Sequence, residues 1–484
     1  MRALVASTSA REAIPGYLAA VWHQGEYIEV AHGVADAGTG ALMVPGCAFP
    51  LGSITKVLTT ALMLRFVERD LLDLDDRVSR HLPELRLLTA GHAQRLRIRN
   101  LLNHTNGIDA DTLLPEHVQE GQHVLADYVE RLAGCGTLFD VGEWISYSNP
   151  GFVIAGRLLE VVSGQTFGAL LAREVFAPAG MVHCSTLPRR ALHGPSATGH
   201  HRSGPRRAAT PVSRWTLPGS GAPAGTTASG TVADLVRFGR LQLQGSRCRG
   251  REPLLSEAMT AAMRAVTADM GTPNCPPVGL GWWLPAFGSA TVLLHSGASP
   301  GGTSVLMVFP AHDLVFAAYG NAAQATTVHN EVSLMLAQEL LGLHPEAPAR
   351  PEAAPDGTNL APYTGSFREF QFTTDVAQRG GVLCVSQHYQ PSDAHHAHLL
   401  EAFTGADMSV PTTRLLRPLS TTLFAPAGIP QEAFRGLRRR ELVSFHRTDV
   451  SGRFSICLQG NRIAVRQPEA VPEAAQPVWA VNID

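Results

Sequence analysis

Lysine is nearly missing from this chain: its 484 residues carry one, Lys56, against 38 arginines. Arginine therefore supplies positive charge almost everywhere, and the single lysine needs a reason of its own. A guanidinium does not act as a base in a protein, whereas a lysine amine does once burial or a neighbouring cation lowers its pKa. Neither sign of charge is in excess. The net charge is −2 and the pI about 6.9, which leaves no electrostatic case for nucleic acid or an anionic membrane surface. Paired cysteine motifs are absent too. Cys47, Cys135, Cys184, Cys248, Cys275, Cys384 and Cys457 are widely spaced, odd in number and hold no C-x-x-C. That excludes a disulfide framework and a zinc site and suits the reduced thiols of a cytosol. No apolar run approaches the ~18 residues of a membrane span. The opening "MRALVASTSAREAIPGYLAA" is broken by Arg11 and Glu12 and lacks the core of a secretory signal. The expected location is cytoplasmic, with no membrane and no nucleic-acid partner.

What is present describes a globular chain, 45% hydrophobic and 17% charged, long enough for two domains or three. The lysine lies in "GSITKVLTT" (52–60). In a helix starting near Ser53, residue i+3 is one turn on, so the Lys56 amine lies over the same face as the Ser53 hydroxyl. A serine hydroxyl becomes a useful nucleophile when a nearby base takes its proton. The run from Ser53 to about Arg69 is apolar over most of its circumference, which predicts a buried central helix. Its free N–H groups and positive dipole end favour an oxyanion.

Elsewhere, "YLAAVWHQGEYIEVAHGVAD" predicts a hairpin around Gln24-Gly25. "YSNPGFVIAGRLLEVVSG" (147–164) restarts a helix at Pro150, after a break at Asn106-Gly107. Residues 195–225, rich in Gly, Pro, Ser and Arg, predict a long surface loop or flap. From 290 come strands "TVLLHSGA", "TSVLMVF" and "LVFAAYG", with "PAHD" as a turn, then a helix over 326–342. The Pro- and Ala-rich 343–357 is the linker candidate. The short alternating runs beyond predict a small antiparallel β domain, a barrel. The expected division is 1–342 catalytic, 343–357 linker and 358–484 β domain.

Three stretches share one chemistry. Tyr147 and Asn149 in "YSN" sit two apart, so on extended backbone both face one cleft. A phenol beside a lysine ammonium can have a lowered pKa and relay protons, and Asn149 can hold Lys56 through its side-chain oxygen. "HSG" (His295, Ser296, Gly297) ends a strand and is followed by small residues, as where a substrate backbone lies along a sheet edge.

On these stretches the chain resembles the serine β-lactamases and penicillin-recognising D-peptidases, especially the class C β-lactamase and D-aminopeptidase/esterase branch. That family carries S-x-x-K, Y-x-N and K/H-[TSG]-G in this order, matched here by Ser53-Ile54-Thr55-Lys56, Tyr147-Ser148-Asn149 and His295-Ser296-Gly297. "LLNHTNGI" (101–108) is similar to its L-L-x-H-x-S-G segment, with Asn106 for the usual serine. The resemblance spans roughly residues 12–342, and the tail from "LAPYTGSF" looks like the lipocalin-like domain of some members. It implies an α+β fold, an antiparallel sheet flanked by helices, plus a C-terminal antiparallel barrel. It also implies roles. Ser53 attacks an ester or amide carbonyl, and Lys56 and Tyr147 share acid and base work, with the resting base open between them. The N–H groups of Ser53 and Ala298 form the oxyanion hole, and Ser296 meets a substrate carboxylate or carbonyl. No cofactor is implied. His295 replaces the lysine usual in β-lactamases and, being only partly charged near neutrality, holds a carboxylate less firmly.

The histidines of "SDAHHAHLL" (His395, His396, His398) with Asp393, and His200-His201, read as polar loops rather than metal sites, and His104 as a residue hydrogen-bonded within its turn. The expected function is an acyl-Ser53 enzyme on an ester or amide of a small molecule or peptide, a hydrolase or a transacylase with an amine or alcohol acceptor, in specialised-metabolite biosynthesis. A D-stereospecific peptidase, amidase or peptide cyclase is the alternative, and a non-catalytic binding protein of the same fold the reading of another class. Oligomeric state and substrate identity are not written in the sequence.

Overall fold

Gln24 and Gly25 both take positive φ, 48° and 94°, and there the chain reverses between β1 (Gly16–His23) and β2 (Glu26–Asp36). In the computed structural model, which describes residues 1–111, 123–202, 208–243, 253–345, 359–391 and 393–468, this hairpin joins β3 (Ala41–Leu42), β4 (Leu293–Ser299), β5 (Gly302–Phe309) and β6 (Leu314–Gly320) in one antiparallel sheet, ordered β4-β5-β6-β1-β2-β3. Alternation along β1 builds two cores. Leu18 and Ala20 face α2 (Thr55–Val67), α3 (Asn149–Ser163) and α4 (Val232–Leu241). Tyr17, Ala19 and Val21 face α1 (Arg2–Glu12) and α5 (Ala325–Leu341). Helix α2 is buried all round except at Arg65 and Val67, as its composition predicts. No helix among the described residues is long and apolar enough to cross a membrane.

The C-terminal part is a closed meander barrel of eight strands: β7 (Gly365–Glu369), β8 (Phe372–Arg379), β9 (Val382–Tyr389), β10 (Thr412–Pro418), β11 (Leu423–Pro426), β12 (Val443–Thr448), β13 (Phe454–Gln459) and β14 (Arg462–Arg466). Strand β14 closes it by pairing with β7. The barrel docks through the outer side of β13 and β14, where Ile456, Leu458 and Ile463 share a cluster with Phe139, Ile145, Val278 and Trp283.

Several expectations change. Residues 394–404 form a helix, α6, not a polar loop. Asp393 caps it, accepting from His396 N–H at 2.8 Å, and Gly405 ends it in the left-handed region. His200 is buried, its Nε2 accepting from Ala37 N–H at 2.9 Å. His201 bonds the Ala402 carbonyl of α6, so the pair ties the 195–225 segment down. Within that segment 219–224 is a 3-10 turn with Pro223 and Ala224 buried, while 203–207 lie outside the described residues. So do 346–357 of the linker candidate, and Cys248. The six described cysteines are free thiols.

Candidate active site

Ser53 lies on a 3-10 turn, Gly52–Ile54, that leads into α2, so the α-helix proper begins two residues later than predicted. Glycine makes the turn possible. Gly52 has φ 57°, and a Cβ there would meet Ala298 O at 2.5 Å and Ala298 N at 2.7 Å. This contact sets the turn carrying Ser53 against β4, the edge strand that carries His295-Ser296-Gly297.

The Lys56 amine is fully buried. It donates to the Asn149 side-chain oxygen at 2.7 Å and to the Ala224 carbonyl at 2.6 Å, and lies 3.2 Å from Ser53 Oγ. Burial lowers it to about 7, with Arg462 adding to the fall and the Asp111 carboxylate opposing it. A neutral amine has two N–H bonds and one lone pair. The two carbonyl-type oxygens take the N–H bonds, which leaves the lone pair for the Ser53 hydroxyl. On the other side Tyr147 Oη donates to Ser53 Oγ at 2.6 Å. Burial pushes the phenol above its ordinary value, the reverse of the lowering expected from its sequence neighbours, and keeps it protonated.

The "YSN" segment rests on the "NHTN" turn. Ser148 caps α3 in extended backbone, its Oγ accepting from Gly151 N–H. Its own N–H donates to His104 Nδ1 at 3.1 Å and its hydroxyl to Asn106 Oδ1 at 3.1 Å. His104, buried at φ 61°, stacks on Trp283 with centroids 5.3 Å apart. Asn106 thus has a bonded role where serine was the expected residue. His295 is buried, and its Nδ1 donates to the Ser296 carbonyl at 2.8 Å. Burial takes it down to about 3, so it is neutral rather than partly charged, with Nε2 unpartnered among the described residues.

Sequence reasoning missed the third side of the site, where the β13–β14 turn of the barrel enters. The Asn461 carbonyl accepts from Tyr147 N–H at 2.8 Å. Arg462 lies over the Tyr147 ring, 4.7 Å from its centroid, and pairs with Asp111 at 2.7 Å. Asp111 in turn accepts from Asn149 N–H at 2.8 Å. The resulting cavity, about 830 Å³, is lined by Ser53, Tyr147, Asn149, His295, Ser296, Gly297 and Ala298 together with barrel residues.

A serine flanked by a buried lysine one turn on and by a tyrosine phenol, facing the edge of an antiparallel sheet, defines a serine hydrolase or acyltransferase. The chain belongs to the beta-lactamase family, whose model matches residues 1–338. It is 33% identical over 359 residues to penicillin-binding protein 4 of Amycolatopsis lactamdurans, covering 73% of this chain and 93% of that one. In structure it is similar to SurE (TM-score 0.71, 23% identity, 96% of this chain and 98% of that one), which has also been seen with D-Leu. It is similar as well to EstCE1, a hydrolase with promiscuous acyltransferase activity (TM-score 0.57, 22% identity, 66% and 92%).

Proposed function

We propose that Ser53 is acylated by an ester or amide of a small molecule or peptide, and that the acyl group then passes to an amine or alcohol acceptor or to water, in the making of specialised metabolites. The observation that carries this reading is the chain of hydrogen bonds from Tyr147 through Ser53 to Lys56. Lys56, neutral with its lone pair free, is the resting base and takes the Ser53 proton as Oγ attacks. Tyr147 then gives its proton to the departing group and recovers one from the Lys56 ammonium, which lies 4.8 Å from its ring centroid. The N–H groups of Ser53 and Ala298 hold the oxyanion, where loss of one such donor costs about 10²–10³ in rate. Asn149 orients Lys56, and His295 and Ser296 meet the substrate along the strand edge, His295 as a neutral acceptor through Nε2.

The cover supplied by the barrel favours transfer over hydrolysis, since it limits the approach of water to an acyl-Ser53. The free thiols support a cytoplasmic setting. The proposed division into 1–342, 343–357 and 358–484 is supported by a family match that ends at 338 and a first barrel strand that starts at 365. A D-stereospecific peptidase, amidase or cyclase is the second reading, favoured by SurE having been seen with D-Leu.

The test is intact-protein mass after brief exposure to an activated ester, beside Ser53→Ala. A mass increment on the wild type alone supports the reading. Faster discharge by an added amine than by water marks transfer, and absence of any increment, with no ester or amide turned over, would sink it.

A further inference from the structure

The barrel interior opens toward Ser53. Phe367, Val376, Val385, Leu416, Cys457 and Ala464 line its apolar interior. Moving two residues toward the catalytic half keeps the same face of each strand. Because neighbouring strands run antiparallel, that step is forward on β7, β9 and β13 and backward on β8, β10 and β14. It reaches Glu369, Gln387 and Gln459, then Thr374, Arg414 and Arg462. Six strands therefore change from apolar to polar at one level, and every one of these polar residues except Thr374 lines the cavity that holds Ser53.

A hydrogen-bonded bar floors this mouth. Arg414 donates to Gln459 Oε1 at 2.6 Å, and Gln459 Nε2 donates to Thr374 Oγ1 at 3.0 Å. The bar ties β10 to β13 and β13 to β8 across the lumen. Arg414, in the bar, and Glu369, beside it, make no ion pair among the described residues. Arg414 bonds the neutral Gln459 amide with Glu441 acting on it through space, and the Glu369 carboxyl faces Arg462, whose guanidinium is already paired with Asp111. A desolvated carboxyl without a hydrogen bond is costly to bury and gains from a ligand that pairs with it.

We propose that the barrel mouth is the acceptor subsite of the reaction: it takes the free α-amino group of an amino acid or peptide, with Glu369 as the partner of that ammonium and the recipient of its proton. Arg414 and Gln387 are placed to meet the carbonyl next to that amine. The assignment rests on the acyl-Ser53 reading above. The step balances as follows. The acceptor ammonium gives one proton to the Glu369 carboxylate. The freed amine nitrogen bonds to the acyl carbon, the ester bond to Ser53 Oγ breaks, and the second amine proton returns to Oγ through Tyr147 or Lys56. Burial raises Glu369 to about 8, close to an α-ammonium at ~7.7–8.0, so proton exchange between the two is nearly level.

The experiment acetylates the enzyme with p-nitrophenyl acetate, offers glycinamide, and measures the ratio of N-acetylglycinamide to acetate at pH 8 for wild type, Glu369→Gln, Glu369→Asp and Arg414→Gln. Acetyl-Ser53 seen by mass in each variant shows that it is folded. The expected result is saturation by glycinamide in the wild type, at least a tenfold lower ratio in Glu369→Gln, partial recovery in Glu369→Asp, and a raised KM for glycinamide in Arg414→Gln. An unchanged ratio in Glu369→Gln, or discharge of wild type by water alone at every glycinamide concentration, would overturn the acceptor role and leave the acyl-Ser53 reading standing. No acetyl adduct on wild type would overturn that reading first.

Discussion

The guanidinium of Arg462, at the start of β14, lies over the ring of Tyr147, just before α3, 4.7 Å from its centroid. The same guanidinium pairs with Asp111, which holds the Asn149 backbone N–H. Two parts of the chain far apart in sequence therefore share the electrostatics around the Ser53 hydroxyl.

That sharing predicts opposite shifts in two variants. Arg462 lowers the Lys56 pKa and Asp111 raises it. Arg462→Met should move the acid limb of the kcat/KM profile to higher pH, and Asp111→Asn to lower pH. Arg462→Met should also cost about 1–2 kcal/mol by denaturant titration, less than the ~3–5 of a fully buried pair because Arg462 keeps part of its side chain in solvent. Shifts of the same sign in both variants would refute the coupling.

The wild-type profile follows from Lys56 itself. With its pKa lowered to about 7, the amine is protonated and idle below that value and free to act above it. Acylation should rise through pH 7 and stay level to about 9, since the phenol, pushed up by burial, adds no alkaline limb there. Lys56→Arg should lose about 10²–10⁴ in rate because a guanidinium does not release its proton. A flat profile between pH 6 and 8, followed by stopped-flow acylation, would rule Lys56 out as the base.

His104 touches the site through Ser148 N–H and the ring of Tyr147, 4.8 Å away, which is the placement of a positioning residue. His104→Ala should lower kcat up to about 10²-fold by displacing Tyr147, with KM changed far less. Equal changes in kcat and KM would assign it to substrate binding instead.

Gly52→Ala tests the turn. A positive φ costs a non-glycine residue about 1–3 kcal/mol, and here the methyl also collides with the Ala298 backbone. Thermal unfolding and acylation should both suffer. A variant as stable and as fast as wild type would mean the turn and β4 are free to part.

Much of this was legible beforehand. A lone lysine one turn from a serine and a Y-x-N before a proline-started helix are local patterns that constrain geometry through period alone; H-S-G, expected to end its strand, lies inside β4, which runs on to Ser299 because Ala298 and Ser299 keep pairing with Thr303 and Gly302. Asp111, Glu369 and Arg462 are ordinary charged residues in their own neighbourhoods, and only docking of the barrel brings them to the cleft. One hint existed. In "FSICLQGNRIAVR" consecutive residues Ile456, Cys457 and Leu458 are all apolar, the mark of a strand buried on both faces, and these strands are the ones that dock. Helix α6 is hard to read from composition because its first two turns carry three histidines, weak helix formers, and only the Asp393 cap and the Gly405 stop mark its ends.

The hydrogen bond from Tyr147 N–H to the Asn461 carbonyl joins the barrel to the rest of the molecule backbone to backbone, and the Ser146 hydroxyl adds a second tie by accepting from Ile463 N–H. Lifting the barrel away would strip the Tyr147 main chain of its partner in a desolvated seam. Docking of the barrel and the placing of the Tyr147 main chain are therefore coupled: whatever loosens the seam also loosens the segment that presents the phenol to Ser53.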